Sequence, residues 1–265
     1  MTTFQTIASG SSGNAALLSC GRTHLLIDMG ISCRRICQAL GAAGLGPEDL
    51  AGVLITHEHT DHIAGLATYI KKYPTPILCS SATGWRLVYR LAGVEPLLRP
   101  LAFGEAVPMG EVSVTALPTS HDCPGSAAYR VDTPDGTLGY LTDTGYILQE
   151  TGEALLGAEL LVLESNHDVE MLRSGPYPYA LKQRVLGEQG HLSNDAAARY
   201  AADAAQAGTR SIILAHLSRE NNTPRLALDT VGRALEAAAY TGQLTVAPRD
   251  VPGEVHILGR APCSE

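Results

Sequence analysis

The order of apolar and polar positions along the chain predicts short strands that alternate with helices. Short runs rich in β-branched or alternating apolar residues are typical of strands. In the first half these runs are residues 3–8, 15–20, 23–28, 52–56, 77–79, 112–117, 126–132 and 138–142. In the second half they are residues 160–163, residues 211–215 and two short runs within 244–258.

Helices are indicated by apolar residues three or four positions apart and by capping residues. They are predicted at residues 31–43, 63–69, 194–207 and 224–240, and from a cap at Ser81 towards Leu91. Ser193 caps the alanine-rich segment, and Thr223 followed by Pro224 favours the start of the last helix. Pro134-Asp-Gly136 predicts a hairpin turn. We therefore expect an α/β fold with two mixed sheets facing each other and helices outside.

The composition fits a globular protein, here interpreted as one domain spanning residues 1–265. Apolar residues make up 45% of the chain and charged residues 17%, which excludes disorder. No run of about 18 apolar residues predicts a membrane span, and the N-terminus lacks the pattern of a secretory signal. The cysteines are scattered, so we expect reduced thiols and a cytoplasmic location. They are Cys20, Cys33, Cys37, Cys79, Cys123 and Cys263.

The net charge of -8 gives the chain no general attraction for nucleic acid or for an anionic membrane. A phosphate-bearing substrate would have to be attracted locally, by metal ions and a few basic side chains.

The hexapeptide His57-Glu-His-Thr-Asp-His62 carries the strongest chemical signal. It follows a predicted buried strand and precedes a predicted helix, and such loops present ligands in open α/β sheets. Imidazole nitrogens and carboxylate oxygens both suit Zn²⁺ and similar divalent ions. We interpret the hexapeptide as part of a metal site rather than a solvated polar loop.

Three further donors, His121, Asp143 and His216, each follow a predicted strand. Alone, each would be interpreted as an ordinary hydrogen-bonded residue, but the hexapeptide needs further partners. The full set has seven members, which is too many for one tetrahedral ion and right for two ions that share a carboxylate. The members are His57, His59, Asp61, His62, His121, Asp143 and His216. His24 and His256 lie among strand residues and are interpreted as structural, whereas His167 is left open.

With these residues in place, the chain resembles the metallo-β-lactamase superfamily. The resemblance rests on H-x-H-x-D-H at residues 57–62 and on His121, Asp143 and His216 in the expected order. Asp28 resembles the early structural aspartate of the family. The resemblance implies the four-layer αβ/βα sandwich with metals at the sheet edges.

Five short motifs narrow the resemblance to the WalJ/YycJ group, and more distantly to ribonuclease Z. The motifs are Ser11-Ser-Gly-Asn14, Thr142-Asp-Thr-Gly-Tyr146, Glu164-Ser-Asn-His-Asp168, Gly190-His-Leu-Ser-Asn194 and Ala215-His-Leu-Ser-Arg-Glu-Asn-Asn222. That group implies a metal-dependent hydrolase, a phosphodiesterase acting on single-stranded DNA ends as a 5′→3′ exonuclease.

We assign His57, His59 and His121 to one ion. Asp61, His62 and His216 are assigned to the second, with Asp143 bridging the two. The cofactors are then two divalent ions, Zn²⁺ or Mn²⁺, which activate water at neutral pH. Asp61 would also orient the attacking water.

By the same resemblance, His191 is the expected general acid and Glu164 holds it protonated. The alternative is that Glu164 only supports neighbouring groups and that His191 caps the helix beginning near Ser193.

Substrate contacts are expected from Ser12 and Asn14 in the glycine-bearing loop, and from Arg219 and Asn222 beyond His216. An ordinary turn for the loop and a surface salt bridge for Arg219 stay open. Single-stranded nucleic acid is the expected partner, with no membrane. The rival function is metal-dependent hydrolysis of a carbonyl substrate, a thiolester, lactone or β-lactam, which the acidic surface favours. The oligomeric state is open.

Overall fold

A computed structural model describes residues 1–259, and within them two seven-stranded sheets face each other. The first sheet has the order β14-β1-β2-β3-β4-β5-β6, built from β1 Thr2–Ala8, β2 Ala15–Cys20, β3 Thr23–Ile27, β4 Leu50–Leu54, β5 Ile77–Ser80, β6 Leu98–Leu101 and β14 His256–Ile257. The second has the order β13-β12-β11-β10-β9-β8-β7, built from β7 Ala106–Met109, β8 Val112–Pro118, β9 Ala127–Thr133, β10 Gly136–Leu141, β11 Leu160–Glu164, β12 Ser211–Ala215 and β13 Gln243–Val246.

Helices connect the strands in the described part of the chain. They are α1 Cys33–Ala42, α2 Thr60–Ile63, α3 Leu66–Tyr69, α4 Ser81–Arg90, α5 Gln149–Leu155, α6 Val169–Ser174, α7 Tyr179–Leu186, α8 Asn194–Gln206 and α9 Pro224–Ala237. None of the helices in residues 1–259 is long and apolar enough to cross a membrane.

Three buried apolar layers produce the predicted αβ/βα sandwich. The middle layer lies between the sheets and joins Phe4 and Leu18 of the first to Tyr129 and Val162 of the second. A second layer packs α1, α3 and α4 against the outer face of the first sheet. The third packs α5, α8 and α9 against the second sheet. The α/β sandwich predicted from the sequence is confirmed.

Strand direction determines where the site lies. β3 and β4 are parallel, and so are β10, β11 and β12. Two successive antiparallel pairings, β8 with β9 and β9 with β10, leave β8 pointing the same way as β10. The loops that follow these strands therefore open at one rim of the sandwich, as expected where α/β sheets bind ligands.

Most predicted elements are confirmed, including the caps Ser193 and Thr223, but two details are wrong. The cap of α4 is Ser80 rather than Ser81, since the Ser80 hydroxyl accepts a hydrogen bond from the Thr83 amide. The predicted helix at 63–69 is broken into α2 and α3. Gly65 packs so closely on the Ile31 carbonyl that an added Cβ would lie 2.2 Å from it.

The sequence did not indicate β6, β7, α5, α6 or α7. The one-domain interpretation stays a prediction, although the shared middle layer supports it. Cys263, expected to be a reduced thiol, lies outside the described residues. Cys20, Cys33, Cys37, Cys79 and Cys123 are free thiols, as expected.

Candidate metal centre

All seven predicted metal ligands lie together at the rim. The rings of His57, His59 and His121 form one group, with centroids 4.6 to 5.1 Å apart. Ligand atoms of Asp61, His62 and His216 form a second group, all within 4.8 Å of one another. Each group supplies three donors, which is the number that a catalytic zinc site typically takes from the protein.

Asp143 lies between the two groups. It shares a cluster of potential ligand atoms with His57 and His62 and another with His216, each within 4.8 Å. Its Oδ2 is 3.3 Å from Nε2 of His62, and its Oδ1 is 3.8 Å from Nε2 of His121. Its Oδ1 also lies 3.5 Å from Nδ1 of His216, so the carboxylate contacts both groups, and its bridging role stays a prediction.

The site contains buried polar atoms without partners. Nε2 of His57, Nε2 of His216 and Oδ2 of Asp143 are buried and lack any hydrogen-bond partner among the described residues. Buried polar atoms nearly always have a partner, because leaving one unpaired costs about 1–3 kcal/mol. Three such atoms converging on one rim fit divalent cations as the missing partners, so the donor set fits the metals that the sequence predicts.

Asp28 fixes the orientation of His62. Its Oδ2 lies 2.7 Å from Nδ1 of His62, and its Oδ1 accepts a hydrogen bond from the Thr56 amide at 2.9 Å. Because Nδ1 is held by the carboxylate, Nε2 is left to face the site. Carboxylate–histidine pairs of this kind fix the tautomer of a metal ligand and raise its basicity.

Glu164 organises the opposite side of the site and is fully buried. Its Oε1 lies 2.8 Å from Nδ1 of both His191 and His216, and its Oε2 accepts from the amides of Thr144 and Leu192. The ring of His191 is 5.2 Å from those of both His121 and His216. Its side chain is 23% exposed, so it is open to a substrate above both groups.

The helix-cap alternative for His191 is wrong, because the cap of α8 is Ser193. The other alternative, that Glu164 only supports neighbouring groups, agrees with part of its contacts. Its carboxylate aligns His216, a predicted metal ligand, and His191, the predicted general acid, at the same time.

Three site residues have a left-handed backbone. Asp28, Asp143 and His216 have φ near +60°, immediately after or close to the ends of β3, β10 and β12. Non-glycine residues rarely adopt this conformation, and it concentrates at functional sites where surrounding contacts hold it in place. Here the turn brings each side chain towards the rim from the end of its strand.

The electrostatics of the site favour charged carboxylates. Burial opposes ionisation of Asp143, but the neighbouring His216 and His62 hold the pKa of Asp143 below its usual value. Burial alone would lower the pKa of His62, but the charges of Asp143 and Asp28 outweigh burial and raise the pKa of His62 to about 9.

His57 behaves differently, because burial and the neighbouring imidazoles hold its pKa well below the usual value. Its neutral form is the one that binds metals.

Two predicted substrate contacts are wrong. Asn14 is fully buried, and its side chain exchanges hydrogen bonds with the backbone of Gly10. Asn222 is equally buried, donating to the Ser165 carbonyl and bonding Asn194. Both amides satisfy buried backbone and side-chain groups, so neither is free to contact a substrate.

The other two predicted contacts are exposed. Ser12 lies at the tip of its loop, and the backbone of Asn14 ties that loop to the carbonyl of Asp61 at 2.8 Å. Arg219 pairs with Asp250 at 3.3 Å on the surface, which matches the salt-bridge alternative. Substrate binding by Ser12 and Arg219 stays a prediction.

Several residues near the site were not singled out from the sequence. Cys123 clusters with His57, His59 and His121. Ser11, Tyr177 and Arg184 line a cleft together with His121 and His191. The motif Pro118-Thr-Ser-His-Asp-Cys123 places the thiol two residues after a predicted ligand, which is the one available signal. His167, left open above, is buried and belongs to none of the donor clusters in residues 1–259.

Comparisons with known proteins agree with this geometry. A family model described as a beta-lactamase superfamily domain matches residues 23–217, which include every predicted metal ligand. The chain belongs to the metallo-β-lactamase superfamily. This member is 37% identical over 239 residues to exodeoxyribonuclease YycJ of Bacillus anthracis, covering 89% of this chain and 90% of that protein. It is 36% identical to exodeoxyribonuclease WalJ of Streptococcus pneumoniae, covering 89% and 88%.

More distant matches agree with this membership. Ribonuclease Z of Streptomyces coelicolor is 28% identical, covering 88% of this chain and 89% of that protein. The crystal structure of the metallo-β-lactamase fold protein YhfI from Bacillus subtilis superposes with a TM-score of 0.69 at 20% identity, covering 96% of this superfamily member and all of YhfI. That likeness concerns the fold alone. The resemblance to the WalJ/YycJ group, and more weakly to ribonuclease Z, is confirmed.

Proposed function

We propose that this protein is a metal-dependent phosphodiesterase that degrades single-stranded DNA from its ends, as a 5′→3′ exonuclease. The observation that carries the proposal is His191, which Glu164 holds at 2.8 Å above a cradle of seven potential ligands. Phosphodiester cleavage releases an alkoxide that needs a proton, and a histidine bound to a carboxylate supplies one. The named exodeoxyribonuclease relatives support the same activity.

The seven side chains would hold two divalent ions, Zn²⁺ or Mn²⁺, with Asp143 between them. When bound, such a pair supplies an activated water and neutralises charge on the phosphate. Asp61 would contribute a carboxylate to one ion, and because its side chain is 25% exposed it could also orient the attacking water.

His191 donates its proton from Nε2 to the leaving oxygen, since Nδ1 is occupied by Glu164. The negative Glu164 stabilises the protonated ring before transfer. Glu164 is suited to this role because His191 and His216 outweigh the effect of burial and hold the pKa of Glu164 far below its usual value.

The cleft beside His191 is suited to a terminal nucleotide. Ser11 and Tyr177 line it together with Arg184, whose guanidinium pairs with Asp122. Hydroxyl and guanidinium donors bind phosphate, and an aromatic ring stacks on a base. Local donors of this kind are what a chain with a net charge of -8 requires for a polyanionic substrate.

Digestion of single-stranded oligonucleotides labelled at the 5′ or the 3′ end tests the proposal. We expect the purified protein with Mn²⁺ or Zn²⁺ to release labelled mononucleotides or short products first from the 5′ label, with chelator abolishing the reaction. The matched comparison uses nitrocefin and a thiolester. Intact DNA together with hydrolysis of either carbonyl substrate would replace the nuclease by the rival function.

A further inference from the structure

An exposed row of aromatic and basic residues occupies helix α4. Trp85 and Tyr89 are 73% and 88% exposed, unusual values for large aromatic side chains in a soluble protein. Arg86 and Arg90 are exposed as well, and α4 contains no acidic residue. Residues four apart lie one above the other on a helix, so the rings form one stripe and the guanidinium groups form an adjacent one.

Helix α4 is fixed to the candidate site at both ends. At its start, the hydroxyls of Ser80 and Thr83 donate to the Gly125 carbonyl, in the loop that carries His121. At its end, Nη1 of Arg90 donates to the Glu58 carbonyl at 2.7 Å. Glu58 stands between the predicted ligands His57 and His59 in the chain. The exposed stripes therefore have a set position relative to the site.

Short contacts link α4 to the cleft across the rim. His59 is 30% exposed at its side chain, and its Nε2 lies 3.5 Å from Oδ1 of Asp122. Asp122 in turn accepts from Arg184, which lines the cleft. Arg90, Glu58, His59, Asp122 and Arg184 thus form a row along one side of the site. A chain that leaves the cleft over His59 reaches the guanidinium stripe of α4 next.

We propose that α4 is a binding platform for single-stranded DNA, which holds the part of the strand that has not yet entered the site. The inference rests on the proposed nuclease function and names the surface that it uses. Bases stack on Trp85 and Tyr89, while Arg86 and Arg90 bind the phosphates between them. Every base has a π-face, so such a platform accepts any sequence, as an exonuclease requires. Helix α4 itself carries no acidic residue, and the one carboxylate that pairs with the stripe is the buried Glu58, whose Oε1 lies 3.8 Å from Nε of Arg86. The Arg86 side chain is still 57% exposed, so in an acidic protein this stripe favours a polyanion over a protein partner.

Trp85 is the single tryptophan of the chain, so its fluorescence reports on this surface alone. We expect metal-loaded protein to show saturable quenching when titrated with a phosphorothioate oligothymidine that resists cleavage. The double variant Trp85→Ala/Tyr89→Ala should raise KM for a long single strand about tenfold or more, in line with stacking energies of about 1–3 kcal/mol per base. The increase should be smaller for a dinucleotide. The matched control is Tyr179→Ala, which removes a ring that is 77% exposed on α7.

Arg86→Gln gives a second readout that a structural role would not change. The slope of log binding constant against log salt concentration should fall by about one, which corresponds to the loss of one phosphate contact.

If wild-type protein cleaves DNA, but the double variant keeps the wild-type KM and no quenching is seen, the platform is wrong and the nuclease function stands. If Trp85 is instead quenched with rising protein concentration as dimers form, the surface is an interface between copies and the proposal fails. No cleavage of DNA by wild type would contradict the proposed function itself.

Discussion

Oε1 of Glu164 lies 2.8 Å from Nδ1 of His191, and the same oxygen is 2.8 Å from Nδ1 of His216. One buried carboxylate thus aligns the proposed general acid and a proposed metal ligand. This shared contact couples the acid to the cation site. It also explains why both rings direct Nε2 towards the rim.

His191→Ala should lower kcat for single-stranded DNA by about 10²–10⁴-fold, because the leaving oxygen loses its proton donor. Metal content should stay at the wild-type value, since His191 is not among the seven proposed ligands. The measurements are initial rates on end-labelled DNA and elemental analysis of the same sample. His24→Ala, which removes a strand histidine bonded to Ser19, is the control. A variant that cleaves DNA as fast as wild type would remove His191 from the mechanism.

Asp28→Asn should weaken metal binding by about 10–100-fold, the usual effect of losing a carboxylate behind a ligating histidine. The introduced side-chain amide keeps one oxygen, which can still accept from Thr56. Its NH₂ group replaces the oxygen that faces Nδ1 of His62, so Nδ1 can no longer donate its proton there and the tautomer with a free Nε2 is lost. Competition with a chelator measures the affinity. Asp132→Asn is the control, because Asp132 pairs with Arg130 away from the site. Equal affinity in all three proteins would contradict the role of Asp28.

His167 should make the protein less stable at acid pH. Burial lowers its pKa to about 4, against about 6.5 in the unfolded chain. Above pH 6.5 both states are neutral and the residue has no effect. As pH falls from 6.5 towards 4, the unfolded chain takes up a proton that the folded one does not, which costs on the order of 3 kcal/mol. Denaturant unfolding at several pH values should show a shallower acid decline in His167→Gln. Parallel declines in both proteins would contradict this.

The sequence predicted the fold well where strands and helices are buried. β11 and β12 have almost entirely buried patterns, and their apolar runs are unambiguous. α7 has no buried residue, so it leaves no periodic apolar pattern to detect. β7 is an edge strand that alternates exposed and half-buried residues and contains Pro108, which weakens its signal.

The candidate site shows the same division. Ligand types and spacing sufficed to select the seven donors that the structure brings together. Asn14 and Asn222 were misinterpreted because a polar loop residue looks the same in sequence whether it faces a substrate or satisfies buried neighbours. Tyr177 and Arg184 line the cleft only because of where α7 and the segment before it lie, and the position of Trp85 depends on the packing of α4. Their proximity depends on tertiary contacts that no local pattern encodes.

The central claim is that seven side chains hold two divalent ions with Asp143 between them. Elemental analysis of native protein, purified without chelator, tests it most directly, with Asp143→Ala alongside and Asp250→Ala as a surface control. We expect two transition-metal ions per chain in the wild type and the control, and one or fewer in Asp143→Ala. A wild-type protein without transition metal, or an Asp143→Ala variant that retains two ions, would contradict the account.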